Sequence, residues 1–141
     1  MVSQTARRNL EAHIQGERMR DLDALMRPLS PNPRFVIPPF IFEGREAVRA
    51  MYERALPLLT DEGLDEYQRA LNDPQVSRWG DAHCVIEYSD QYRLHRGTMM
   101  VVHFDGDLVK SENTYFASAS RYRAAPFDDL YPRVPGVSRI D

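Results

Sequence analysis

Glu43-Gly44-Arg45-Glu46-Ala47-Val48-Arg49-Ala50-Met51-Tyr52 is the stretch on which the reading of the chain turns. It opens a helix predicted over 45–59, because Val48, Met51, Tyr52, Ala55 and Leu59 fall on one apolar stripe at helical spacing. Just upstream, Arg34-Phe35-Val36-Ile37 reads as a short strand, and Pro38-Pro39 stops it, since proline has no N–H to give a ladder. Before that strand, Pro28, Pro31 and Pro33 end a short helix that carries Leu22, Leu25 and Met26 behind the acidic start Asp21 and Asp23. Leu10, Ile14 and Met19 give residues 5–19 a modest apolar face, which predicts the first helix.

Downstream the period changes after Asp61-Glu62-Gly63. Residues 66–72 and 75–79 read as one long strand bent at Asn72-Asp73-Pro74. Alternation over 82–88 predicts a strand with one polar face, 97–104 a more apolar strand, and 108–117 the last one. Asp105-Gly106 between the last two is a hairpin turn signal. Three helices followed by antiparallel strands argue for an α+β domain over 1–125, with the helices covering one face of a curved sheet. The tail over 126–141 contains prolines, Phe127 and Tyr131 without a period, and reads as an arm that is either disordered or laid across a partner surface.

Composition sets outer bounds. A chain of 141 residues, 43% apolar and 28% charged, suits one globular domain. A net charge of -3 provides no basic field to gather nucleic acid. No apolar run is long enough to span a bilayer, and the N-terminus lacks a secretory apolar core, so no membrane contact and a cytoplasmic location are expected. Cys84 is the only cysteine, which excludes an internal disulfide and a cysteine zinc site. Histidines 13, 83, 95 and 103 lack the HExxH spacing, and the glycines form neither GxGxxG nor a P-loop. No metal and no cofactor are therefore expected.

The order helix, short helix, strand and then Gly44-Arg45-Glu46 resembles the NTF2-like superfamily, in its SnoaL-like polyketide cyclase and ketosteroid-isomerase-like branch. The acidic helix start Asp21-Leu22-Asp23 fits that pattern. So do the turn Phe104-Asp105-Gly106 and the strand ending in Thr114-Tyr115-Phe116. The resemblance runs over roughly residues 5–120. It implies a cone, in which a strongly curved antiparallel sheet wraps three N-terminal helices around a deep apolar pocket. It also implies a homodimer through the convex sheet face, where Val85, Met99 and Val101 would sit. Enzymes of the branch isomerise, cyclise or dehydrate small carbonyl compounds without a cofactor, whereas other members only bind a ligand or a partner.

Carried over residue by residue, the resemblance places His13 at the oxyanion-donor position of the first helix and Tyr52 at the supporting position of the third. A packed helix histidine and a core tyrosine are the alternative readings of these two residues. Three acids of the branch have no counterpart, because Pro38, Met100 and Ala117 occupy their positions. Glu112 shares strand parity with Thr114 and Phe116, and the resemblance turns that face into the pocket; a one-residue bulge would turn Asn113 inward instead. A glutamate in an apolar cone has its pKa raised by desolvation and suits proton shuttling near neutral pH. His13, Tyr52 and Glu112 are thus the candidate catalytic residues. Phe35, Ile37, Phe40, Ile86, Tyr88, Met100, Val102, Thr114 and Phe116 are the candidate lining for a hydrophobic small molecule, and the same side chains would form the core of any small α+β domain. His83 and His103 are expected to face outward. The enzymatic reading is a cyclase, isomerase or dehydratase acting on a polyketide- or terpenoid-like carbonyl compound. The other is a non-catalytic binding or dimerisation protein.

Overall fold

The computed structural model describes residues 1–87, 98–116 and 127–140. The three anticipated helices are α1 (Gln4–Arg18), α2 (Leu22–Met26) and α3 (Arg45–Ala55), the third separated from the second by two strands of which the first is longer than expected, Leu29–Ile37. Ser3 caps α1 and Asp21 caps α2, each side chain accepting a backbone N–H of the first turn. The third helix stops at Ala55 rather than Leu59, because Pro57 tightens the chain into a 3-10 turn over Leu56–Leu58.

A fourth helix corrects the strand expected over 66–72. Thr60 caps α4 (Asp61–Asn72) by accepting from Gly63 N, with Asp61 and Glu62 favourably placed in the first turn. Leu64, Tyr67, Ala70 and Leu71 then form its buried face at a helical period. The alternation seen in 66–72 is the edge of that stripe. Only Ser77–Trp79 of the expected long strand is extended.

The strands are β1 (Leu29–Ile37), β2 (Phe40–Glu43), β3 (Ser77–Trp79), β4 (His83–Glu87), β5 (Thr98–Asp105), β6 (Leu108–Phe116) and β7 (Val137–Arg139). They form a curved, unclosed sheet in the order β3-β4-β5-β6-β1-β2-β7. The architecture is the expected α+β one. One pairing departs from the antiparallel expectation, as β1 runs parallel to β6, with a register irregularity between Leu29 and Arg34 that accommodates Pro31 and Pro33.

Register identifies the inner face. Trp79, Cys84, Val102, Glu112, Phe35, Phe42 and Val137 are successive partners across the seven strands, so their side chains share one side of the sheet. α1 packs on β6, α3 on β1 and β2, and α4 on β3 and β4. All members of that row except Trp79 are buried. The next row along the outer side contains Val85, Val101, Asn113, Val36 and Ile41, of which only Val36 is buried. Glu112 therefore faces inward and Asn113 outward, with no bulge at this point of β6.

The arm reaches its own chain. Phe127 is buried edge-on against Phe40 and Phe42, with Leu130 buried nearby, and burying such a phenylalanine is worth about 2–3 kcal/mol. Gly136, at φ +86, passes so close to Glu43 that a Cβ there would lie 1.9 Å from the Glu43 carbonyl oxygen. That approach lets the Gly136 carbonyl accept the Glu43 N–H at 2.8 Å and starts the β2–β7 pairing.

Candidate functional site

Four elements converge on one buried group of polar side chains. His13 and Glu17 lie one turn apart on α1, Tyr52 comes from α3, Tyr67 from α4, and Glu112 from β6. The first two share a helix face because residues four apart are neighbours on a helix. His13 is 0% exposed, Glu17 6% and Glu112 7%, so the group is closed from water.

The orientation of the imidazole is fixed from behind. Nδ1 of His13 lies 2.7 Å from the Leu25 carbonyl oxygen, an acceptor only, so Nδ1 carries hydrogen and donates. Gly16 makes this possible, since a Cβ there would sit 2.4 Å from Leu25 N. Glycine allows the α2 backbone to press against α1 until its carbonyl meets the ring.

Nε2 consequently points into the cluster. It lies 2.8 Å from Tyr52 Oη, 3.2 Å from Glu17 Oε1 and 3.6 Å from Glu112 Oε1. The Tyr52 hydroxyl donates to Glu17 Oε1 at 2.9 Å, which leaves its oxygen free to accept from Nε2–H. Tyr67 donates to Glu112 Oε1 at 3.4 Å. Phe35 and Tyr52 meet the imidazole edge-on, at centroid distances of 6.0 and 5.4 Å. Three oxygens around one nitrogen, two of them carboxylate, favour an imidazolium.

The titration of the cluster follows from that geometry. Burial alone would lower the His13 pKa, but Glu112 and Glu17 override it and push the imidazole up to about 9. Burial raises the Glu112 carboxyl to about 7, against the pull of His13 and with help from the Glu17 charge. Burial and the same two carboxylates raise the Tyr52 hydroxyl well above its ordinary range. A histidine held protonated at neutral pH and a glutamate that exchanges its proton there now stand side by side in an apolar setting.

His13 Nε2 and one oxygen each of Glu17 and Glu112 lie within 4.8 Å of one another, and they are donors of a type that metal ions take. In the structure these atoms are engaged with one another and with the two tyrosine hydroxyls.

His13, Tyr52 and Glu112, the three residues singled out from the chain, are thus brought together. Glu17 and Tyr67 were not singled out. The spacing of Glu17 four residues after His13 is a legible signal for shared geometry, whereas Tyr67 was hidden by the strand reading of its helix. Among the candidate lining residues, Phe35, Phe40, Ile86 and Val102 are buried in the apolar core. Ile37 and Met100 are half-buried and pack against it, and Thr114 is half-buried opposite Met100 in register. Tyr88 lies outside the described residues, as does the side chain of Phe116. The His83 and His103 rings face each other on the outer surface with centroids 6.2 Å apart, away from the cluster. Cys84 is buried on the inner sheet face beside Val102, and burial pushes its thiol up to about 12, which leaves no reactive thiolate.

No family model matches the chain, and no curated protein matches it. Solved structures share its fold. An NTF2-like protein of unknown function from Burkholderia pseudomallei K96243 superposes with a TM-score of 0.54 at 14% identity, over 83% of this chain and 94% of that one. An NTF2-like protein from Burkholderia xenovorans LB400 gives 0.51 at 10% identity, over 82% of this chain and 92% of the other. A further NTF2-like protein of unknown function from that organism gives 0.51 at 16% identity, over 89% and 92%. At these identities the likeness speaks for the fold alone, and the fold is the NTF2-like one. Among the described residues no helix is long and apolar enough to cross a membrane.

Proposed function

We propose that this chain is an enzyme that moves a proton on a small hydrophobic carbonyl compound of polyketide or terpenoid type, acting as a cyclase, isomerase or dehydratase without an organic cofactor. The observation that carries the reading is the meeting of His13 Nε2 and Glu112 Oε1 at 3.6 Å inside an apolar surround. Glu112 takes the proton next to the carbonyl, since a desolvated carboxylate whose pKa lies near neutral is a competent base. The His13 Nε2–H and the Tyr52 hydroxyl are the donors, and one of them turns from its partner within the cluster to the developing enolate oxygen when substrate is bound. On the face that carries Glu112, exposure rises toward Ile37, Met100 and Thr114, which marks the side from which an apolar substrate would approach. This reading goes with membership of the SnoaL-like and ketosteroid-isomerase-like branch.

The test is hydrogen exchange at the carbon next to the carbonyl, followed by NMR in D2O with a panel of hydrophobic cyclic enones and 1,3-diketones. Wild type accelerates deuterium incorporation into at least one probe, and Glu112→Gln abolishes it while circular dichroism is unchanged. Equal exchange by both proteins would overturn the assignment. The second reading, a non-catalytic binding protein, is favoured by the burial of Phe35, Phe40, Ile86 and Val102 in the core. It predicts binding of such probes with no exchange by either protein. A homodimer through the outer sheet face, where Met99 and Tyr115 are exposed and Val85 and Val101 half-buried, belongs to either reading.

A further inference from the structure

We propose that the two buried carboxylates divide the work, Glu17 being the positioning residue that holds His13 as a cation and aims the Tyr52 hydroxyl, while Glu112 alone exchanges a proton with substrate. The proposal rests on the acid–base reading above and assigns a role to a residue outside its original set.

Distances separate the two acids. Glu17 Oε1 accepts from Tyr52 at 2.9 Å and lies 3.2 Å from His13 Nε2. Glu112 Oε1 has the longer contacts, 3.4 Å to Tyr67 Oη and 3.6 Å to Nε2. Each acid has two partners, but the shorter contacts stabilise a negative charge better than the longer ones do. Placement points the same way. Glu17 sits on α1 beside the turn that Arg20 ties down through the Glu17 backbone carbonyl, and it reaches the cluster from the helix side. Glu112 sits on the inner sheet face, two residues from half-buried Thr114, on the side toward which exposure rises.

The polar groups around the imidazole support this division. α1 supplies Glu17, α3 the Tyr52 hydroxyl, α4 the Tyr67 hydroxyl, β6 the Glu112 carboxyl, and α2 only the Leu25 carbonyl, which fixes the other ring nitrogen. The relay then runs in one direction: His13 Nε2–H donates to Tyr52 Oη, whose hydrogen goes to Glu17. With both donors so oriented, Glu112 is the member whose proton is not committed to the relay. Two carboxyls whose surroundings differ in this way take different roles in proton transfer.

The experiment needs no substrate. In wild type labelled with 15N in histidine and 13C in glutamate, NMR titration between pH 5 and 10.5 is expected to show the Glu112 carboxyl carbon moving across neutral pH and the His13 ring responding at the alkaline end. Glu17→Gln keeps an oxygen for the Tyr52 hydroxyl but removes the charge, so His13 should lose proton affinity by at least tenfold, while Glu17→Asp restores most of it. An unchanged His13 titration in Glu17→Gln, or a Glu17 carbon that moves while Glu112 stays still, overturns the division. If Glu17→Gln does not fold, the wild-type carboxyl titration decides alone. Absence of carbonyl exchange in wild type would refute the enzymatic reading without touching this result, so the two failures are distinguishable.

Discussion

Replacing Glu112 by glutamine removes one titratable proton from the buried cluster and keeps the shape of the side chain. In the folded chain burial lifts the Glu112 carboxyl from its ordinary 4.5 to about 7. Between those values the folded state holds a proton that the unfolded chain has released, so stability falls as pH rises through the interval. Below 4.5 the two states bind that proton alike, and above about 7 the loss is complete. One extra bound proton corresponds to about 1.4 kcal/mol per pH unit, so the interval is worth about 3 kcal/mol. His13 adds a second decline of the same sign. Its pKa is raised from 6.5 to about 9, so its stabilisation is full below 6.5 and is lost as pH climbs through 9. From pH 4.5 to 6.5 His13 is protonated in the folded state, so that interval isolates the carboxyl. The assay is urea unfolding of wild type and Glu112→Gln at closely spaced pH values, read as the difference between the two proteins, in which titrating groups remote from the cluster cancel. That difference should shift by about 3 kcal/mol in favour of the variant across the interval, or roughly 10 °C in Tm for a domain of this size. A difference that stays flat would show that Glu112 titrates in the folded state as it does in water, and the buried-base argument would fail with it.

Two further outcomes follow from packing. Gly16→Ala places a methyl group against the Leu25 backbone, which should cost about 1–3 kcal/mol in urea unfolding and perturb the His13 ring resonances; a stability gain of the kind alanine gives in an open helix would show that α1 and α2 are not in close contact. The outer face predicts a dimer by light scattering that Met99→Glu weakens, since Met99 is 38% exposed beside half-buried Val101; a monomer at high concentration removes the dimer from the proposal.

The parts of this fold that were legible in the chain are those set by local chemistry. Asp21 before Leu22, the apolar stripe from Val48 to Tyr52 and the Asp105-Gly106 turn each specify their element with neighbouring residues alone. The parity of Glu112 was legible as well, because alternation on β6 is uninterrupted where it matters. What escaped was set by distant partners. Residues 66–72 satisfy both a helix and a strand period over so short a window, and the Thr60 cap with the buried face from Leu64 to Leu71 resolves the choice. The parallel pairing of β1 with β6 leaves no local mark, because either strand would look the same beside an antiparallel neighbour. The place of Phe127 depends on an aromatic site built by Phe40 and Phe42, far away in the chain. Glu17 lay in plain view four residues from His13, but its meaning appears only when Tyr52 arrives from α3 to share it.

The β1–β6 pairing also orders events in time. His13, Glu17, Tyr52 and Tyr67 all leave the ribosome well before Glu112, and β6, already a hairpin with β5, reaches β1 only by a contact that spans most of the domain. Such a long-range closure pays its loop entropy late. Until β6 docks, the imidazole and Glu17 remain open to water and form an ordinary helix-surface pair. That docking joins β3-β4-β5-β6 to β1-β2 and seals the charges together, so dehydration of the cluster belongs to a late cooperative step of folding. Medium acidity should therefore act on the rate at which a completed molecule opens far more than on the rate at which the nascent chain collapses.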